Sequence, residues 1–251
     1  MTFIVCENYD DMSKKGAEMI AELINSKPDA ILGLATGSTP IGMYNELALM
    51  YSSGKLDFSK VQTFNLDEYY RIKQDDPQSY RRFMYENLFS KINIMPENVD
   101  IPNGNAEDPD MECRRYHDKI MNSNGIDIQV LGIGNNGHIG FNEPDESLST
   151  CTHSVTLTDS TIQANARFFD SADDVPGQAI SMGIGEIMSA RKILLLISGK
   201  AKADTAKSLT DDRLTTQIPA SFLKLHNNVT VILDKDAASE NWPELFPGKI
   251  D

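Results

Sequence analysis

A histidine, a glutamate and two adjacent asparagines stand among four glycines in LGIGNNGHIGFNEP, residues 131–144. His138 is the natural proton carrier of the group, because an unperturbed imidazole titrates close to neutral pH. Glu143 can accept the other imidazole N–H and fix the tautomer, while Asn136 can donate or accept beside the same ring. The glycines relax steric limits and let the backbone approach a ligand closely. A second chemical cluster is the carboxylate pair Asp67–Glu68 of FNLDEYY, directly after a short apolar run. Adjacent residues of an extended chain point to opposite sides, so one of the two acts in a pocket and the other supports it. A carboxylate placed there can serve as a general base, a metal ligand or a loop cap.

The third cluster is ILGLATGSTP, with Gly37, Ser38 and Thr39 between an apolar strand and a helix expected to start at Pro40. Thr39 is expected to cap that helix, with Pro40 at its first position, where a missing N–H costs nothing. Exposed amides, two hydroxyls and a helix N-terminus together make an anion site. It has neither the GxxxxGK[ST] spacing of a P-loop nor the dinucleotide GxGxxG pattern at this position. In ISGKAKAD a strand ends, Gly199 turns the chain, and Lys200 and Lys202 fall in the opening turn of a helix. Lysines there oppose the helix dipole unless an anionic ligand reverses the penalty, which makes Lys202 the better candidate of the two. Arg167 of NARFFD is a further candidate phosphate clamp.

These groups need a scaffold, and the hydrophobic pattern supplies one. Strands are expected at residues 3–6, 30–35, 61–66, 126–131, 192–198 and 229–233, and helices at 11–25, 40–50, 79–89 and 109–121. Compact β-rich runs such as KILLLIS and VTVIL belong inside a parallel sheet. The alternation predicts an α/β fold with a doubly wound, mostly parallel sheet and helices on both faces. A single domain over residues 1–251 is expected, with the less regular 144–185 region as an insertion or active-site lid. In such sheets ligands lie beyond the carboxyl ends of the strands. All three polar clusters follow strands, so they are expected to converge on one pocket.

Composition narrows the chemistry. With 251 residues and 40% hydrophobic side chains, the chain is long enough for a well-buried core. No run approaches the roughly 18 apolar residues of a membrane span, and MTFIVCENYD lacks the basic start of a secretory signal. Cys6, Cys113 and Cys151 are dispersed, as expected for reduced thiols in a cytoplasm. The net charge of −14 disfavours nucleic acid and anionic membrane as partners. It also means that a phosphorylated ligand must be held by specific local groups. HExxH, HxxxH and CxxC pairs are absent, His117, His153 and His226 are isolated, and no serine has a GxSxG setting. What remains is a phosphate-gripping pocket with a separate carboxylate and histidine. That set suits ring opening of a phosphorylated sugar and proton abstraction α to a carbonyl.

LGLATGSTP, TFNLDEY, GIGNNGHIGFNEP, ARFFD and GKAKA, in that order, resemble the glucosamine-6-phosphate deaminases. Those enzymes belong to a wider group that includes sugar-phosphate lactonases and pentose-phosphate isomerases. The resemblance implies conversion of glucosamine 6-phosphate and water to fructose 6-phosphate and ammonia, with no metal or organic cofactor. It assigns ring opening to His138 with Glu143 and Asn136, and transfer of the C2 proton to C1 to Asp67. It gives the phosphate to Gly37, Ser38, Thr39, Arg167 and Lys202. Some members carry aspartate where this chain has Asn136, so any relay here leans on Glu143. Allosteric members bind N-acetylglucosamine 6-phosphate through a serine, an arginine and a lysine after FNEP, where this chain has Glu146, His153 and Val155. The expectation is a non-allosteric short form, a monomer or small homo-oligomer with simple kinetics. A 6-phosphogluconolactonase-like hydrolase and a non-catalytic sugar-phosphate-binding regulator are the competing readings. FNLDEY and FNEP weigh against the first, and intact Asp67, His138 and Glu143 against the second.

Overall fold

The strands of the main sheet are short apolar runs that bury both faces, the pattern that parallel sheets require. In a computed structural model, which describes residues 1–158, 161–163, 166, 169, 171 and 174–239, these runs form a seven-stranded sheet. Its strands are β1 (Thr2–Cys6), β2 (Ile31–Leu34), β3 (Gln62–Asn65), β5 (Val99–Asp100), β6 (Ile128–Leu131), β9 (Ile193–Ile197) and β10 (Val229–Asp234). Every pairing is parallel, in the order β1-β10-β9-β6-β2-β3-β5. Helices flank it in a three-layer α/β arrangement: α1 (Tyr9–Ser26), α2 (Ile41–Ser52), α3 (Tyr80–Asn87), α4 (Pro109–Met121), α5 (Ile184–Met188) and α6 (Ala203–Ser208). The expected strands and helices are all present, with ends moved by a few residues.

Strand order places the site. From β2 the chain moves outward through β3 to β5, then returns to lay β6 on the other side of β2. The reversal therefore falls between β6 and β2, the switch point where open α/β sheets leave a crevice beyond their strand ends. The polar clusters follow β2, β3 and β6, three neighbouring strands, and the Gly199 turn follows β9 beside β6.

A second sheet, which the sequence reading did not anticipate, takes two of its strands from the less regular 144–185 region. It is antiparallel, in the order β4-β8-β7, from β4 (Asp67–Tyr69), β7 (His153–Thr156) and β8 (Gln178–Ser181). Leu66 hinges the two sheets together: its amide bonds Leu34 of β2 at 3.0 Å, and its carbonyl accepts from Met182, just past β8, at 2.8 Å. A small separate core of Tyr69, Ile72, Phe141, Leu157, Val175 and Ala179 packs this sheet against the FNEP segment. Tyr80 and Phe141 stack there with ring planes 7° apart.

Helix starts are set by distinct devices. Asn8 caps α1 through Asp11 N, and Asp108 caps α4 through the amides of Asp110 and Met111. The start of α2 corrects an expectation. The helix begins at Ile41, Pro40 occupies the capping position, and no side chain of the turn caps it. The hydroxyl of Tyr9 in α1 instead accepts from Gly42 N at 2.8 Å and donates to Ser38 O at 3.1 Å. Thr39 is thereby left out of the capping role.

Candidate active site

Strand β4 resolves the Asp67–Glu68 pair as alternation requires. Glu68 turns toward α3, accepting from Tyr80 N at 2.9 Å, Arg81 N at 3.0 Å and its neighbour Tyr69 N at 2.9 Å. It caps the dipole-positive end of that helix. Burial pushes its carboxyl up to about 7 against the pull of those amides. Asp67 faces the other way. It is 6% exposed, and no described residue donates a hydrogen bond to its carboxylate. Burial and the neighbouring Glu68 charge raise it to about 8, which makes it a strong base once ionised.

The loop after β6 meets this carboxylate. Gly140, at φ +57°, lies so close that a β-carbon there would stand 3.5 Å from Asp67 Oδ2 and 3.1 Å from Ser181 Oγ. Ser181 is the register partner of Asp67 across β4 and β8, and its hydroxyl accepts from Phe141 N at 3.1 Å. Asn142 adds two bonds from its amide, to Ile139 O and Met182 O, both 2.9 Å. The strand that carries Asp67 and the loop that carries His138 are thus pinned to the same segment, 181–182.

Within the loop, the three groups expected to work together, His138, Asn136 and Glu143, do touch. His138 Nδ1 lies 2.8 Å from Asn136 Oδ1 and 3.2 Å from Glu143 Oε1. Two acceptors on one ring nitrogen place the proton on Nδ1 and leave the Nε2 lone pair for chemistry. Asn136 Nδ2 in turn donates to Glu143 Oε2 at 2.6 Å. Burial alone would raise the Glu143 carboxyl; hydrogen bonds from His138, Thr161 and Asn136 outweigh it and hold it at about 2. Glu143 therefore stays ionised across the neutral range. Gly134 makes room for the ring, and Gly134 N bonds His138 O at 2.9 Å.

Of the candidate phosphate groups, Gly37 and Ser38 are exposed beyond β2, and Thr39 is half-buried beside them. Lys202 is half-buried at the end of a short 3-10 turn, Lys200–Lys202, which leads into α6. Thr205 of α6 donates to Asn135 O at 2.7 Å, tying that element to the histidine loop. Arg167 lies outside the described residues. The isolated histidines have structural partners: His117 Nδ1 meets Glu186 Oε1 at 2.7 Å, His153 Nδ1 meets Cys151 O at 3.1 Å, and His226 Nε2 meets Ala190 O at 2.7 Å. Tyr9, Thr161, Ser181 and Asn142 escaped the sequence reading. Hydroxyls and amides carry no spacing signal, and each makes its contact across a long loop or between sheets.

A three-layer α/β fold with a carboxylate and a histidine relay at its switch point defines an enzyme acting on a small polar substrate. The chain belongs to the family of glucosamine-6-phosphate isomerases and 6-phosphogluconolactonases, whose family model matches residues 7–232. Within it the chain is a deaminase-type member. It is 58% identical to the glucosamine-6-phosphate deaminase of Thermoanaerobacter sp. (strain X514), over 95% of this chain and 94% of that protein. It is 54% identical to the deaminase of Clostridioides difficile (strain 630), over 97% and 98%. Its fold matches the solved structure of a monomeric glucosamine-6-phosphate deaminase with a TM-score of 0.93 at 48% identity, covering 95% of this chain and 99% of that one. A 6-phosphogluconolactonase from Thermotoga maritima shares the fold alone, with a TM-score of 0.75 at 21% identity over 93% and 98%.

Proposed function

We propose that the chain converts glucosamine 6-phosphate and water to fructose 6-phosphate and ammonia, with Asp67 and His138 dividing the work. The observation that carries this reading is the buried Asp67 carboxylate, without a described donor, against the loop that holds His138, Asn136 and Glu143.

His138 Nε2 accepts the proton of the C1 hydroxyl and returns one to the ring oxygen. The C1–O5 bond breaks and the aldehyde forms. Glu143, ionised and hydrogen-bonded to the Nδ1 side, stabilises the imidazolium in transit, and Asn136 orients both. Asp67 then removes the C2 proton, now acidic because it lies α to the carbonyl. Electrons pass to the carbonyl oxygen, which takes a proton from the substrate's ammonium group, to give an enolamine. Return of the proton to C1 gives the C2 imine. Water adds to C2, and the carbinolamine expels ammonia. Asp67 is effective because it is buried: a carboxylate with no hydrogen-bond donor among the described residues keeps its basicity.

Gly37, Ser38, Thr39, Arg167 and Lys202 hold the phosphate in this reading. A lid within residues 144–185 excludes water. Regulation by N-acetylglucosamine 6-phosphate is absent. Glu146 is exposed and anionic, burial lowers the His153 imidazole toward its neutral form, and Val155 packs against the second core. No helix among the described residues is long and apolar enough to cross a membrane, in keeping with work on a free metabolite. The test is turnover of glucosamine 6-phosphate to fructose 6-phosphate, run beside hydrolysis of 6-phosphogluconolactone. Turnover of the first alone is expected; turnover of the lactone alone overturns the reading.

A further inference from the structure

Glu143 has a third partner that neither the motif nor the reaction requires. Thr161 Oγ1 donates to Glu143 Oε1 at 2.7 Å, the same oxygen that faces His138 Nδ1. Thr161 is only 8% exposed, and it belongs to a helical turn of the segment between β7 and β8. Its hydroxyl is aimed by a neighbour. Thr158 Oγ1 accepts from Thr161 N at 3.3 Å and donates to Thr161 Oγ1 at 3.1 Å. Once Thr161 Oγ1 accepts that proton, its own proton is directed to the carboxylate.

We infer that Thr161 is a positioning residue for ring opening, holding Glu143 Oε1 where it fixes the tautomer and plane of His138. The inference rests on the proposed role of His138. The geometry is that of an outer hydrogen bond that orients a working imidazole through its carboxylate partner. Oε2 is already engaged by Asn136, so Thr161 completes a clamp on both oxygens. Without it Glu143 can turn about its last torsion, and the ring loses its reference. Burial of the hydroxyl makes the effect specific to the donor rather than to bulk, because valine fills the same volume.

The experiment measures ammonia release by the full chain as wild type, Thr161→Val, Thr161→Ser, Glu143→Gln and the double variant Thr161→Val with Glu143→Gln. Loss of one charge-assisted hydrogen bond predicts a fall in kcat of about tenfold for Thr161→Val, with KM changed less than about twofold. Thr161→Ser restores kcat to within about twofold of wild type, because the donor returns. In the Glu143→Gln background the valine substitution lowers kcat by less than about twofold, since its target is already altered. An undiminished kcat for Thr161→Val overturns the inference. So does a serine variant as slow as the valine variant, or a full tenfold loss in the Glu143→Gln background. Should Thr161→Val fail to fold, Thr158→Val asks the same question: a lower kcat at unchanged KM supports the clamp, and wild-type kcat overturns it. Absence of turnover by the wild type would sink the functional reading itself, a different outcome from any of these.

Discussion

The ring of His138 lies against the α-carbon of Gly134: a methyl group there would stand 2.3 Å from both Nδ1 and Cε1. The glycine is thus the floor on which the imidazole rests, and its lack of a side chain sets the height of the ring. Gly134→Ala is expected to displace the imidazole while leaving β6 intact. A misplacement of about 1 Å lowers kcat by about 100-fold, and ammonia release measures it. Wild-type kcat in that variant would show that the ring position is not critical.

Asp67 should set the pH dependence of the free enzyme. Its carboxyl is raised to about 8 by burial and the Glu68 charge, so kcat/KM should climb on the acid side with an apparent pKa near that value, after allowance for titration of the substrate amine. A profile already flat below pH 6 would contradict this.

The same group has a signature in stability, with the opposite sign from most carboxylates. A folded-state pKa raised above the ordinary 3.8 favours the protonated form. The stabilisation is complete below 3.8 and is lost as pH rises through about 8. Asp67→Asn removes the ionisation, so its thermal midpoint should exceed that of wild type by a margin that widens between pH 5 and pH 9. A constant margin would mean that Asp67 is not desolvated in solution.

Glu68 should matter for stability rather than for chemistry. Its removal strands the part-buried amides at the start of α3 and the buried Tyr69 amide, so Glu68→Ala is expected to cost about 2–4 kcal/mol. At about 2–4 °C per kcal/mol for a chain of this size, thermal unfolding reads this directly. A stable but inactive variant would instead place Glu68 in the reaction.

Much of this was legible in the sequence because the informative groups are local. The apolar runs of the main sheet announce themselves, and polar residues after β2, β3 and β6 point to one end of it. The loop 132–143 holds His138, Asn136 and Glu143 within eight residues, so their mutual contact follows from chain connectivity. Asp67 and Glu68 could be split into a working and a supporting residue by alternation alone; which was which depended on α3, whose position is tertiary. The second sheet was hidden because DEY, HSVT and QAIS are too short and too polar to show a strand period. Their stability comes from pairing between distant segments, Asp67 of β4 with Ser181 of β8 and His153 of β7 with the same Ser181. The cap on α2 failed for a like reason: the hydroxyl of Tyr9 arrives from another helix and displaces the local solution that Thr39 offered.

Regulation gives a prediction with a simple readout. With Glu146 exposed and anionic and Val155 taken up in packing, initial rates should follow a hyperbola with a Hill coefficient of about 1. Addition of N-acetylglucosamine 6-phosphate should leave the curve unchanged. Sigmoidal rates made hyperbolic by that compound would overturn the non-allosteric reading.

The division of labour between Asp67 and His138 is tested most directly by ammonia release from glucosamine 6-phosphate in Asp67→Asn beside wild type. Asparagine keeps the shape of the side chain and removes the base. Wild type should release ammonia, and the variant should lose about 1,000-fold or more in kcat while staying folded, a fall in the range that loss of a positioned general base produces. Turnover by the variant within about tenfold of wild type would contradict the assignment of carbon chemistry to Asp67.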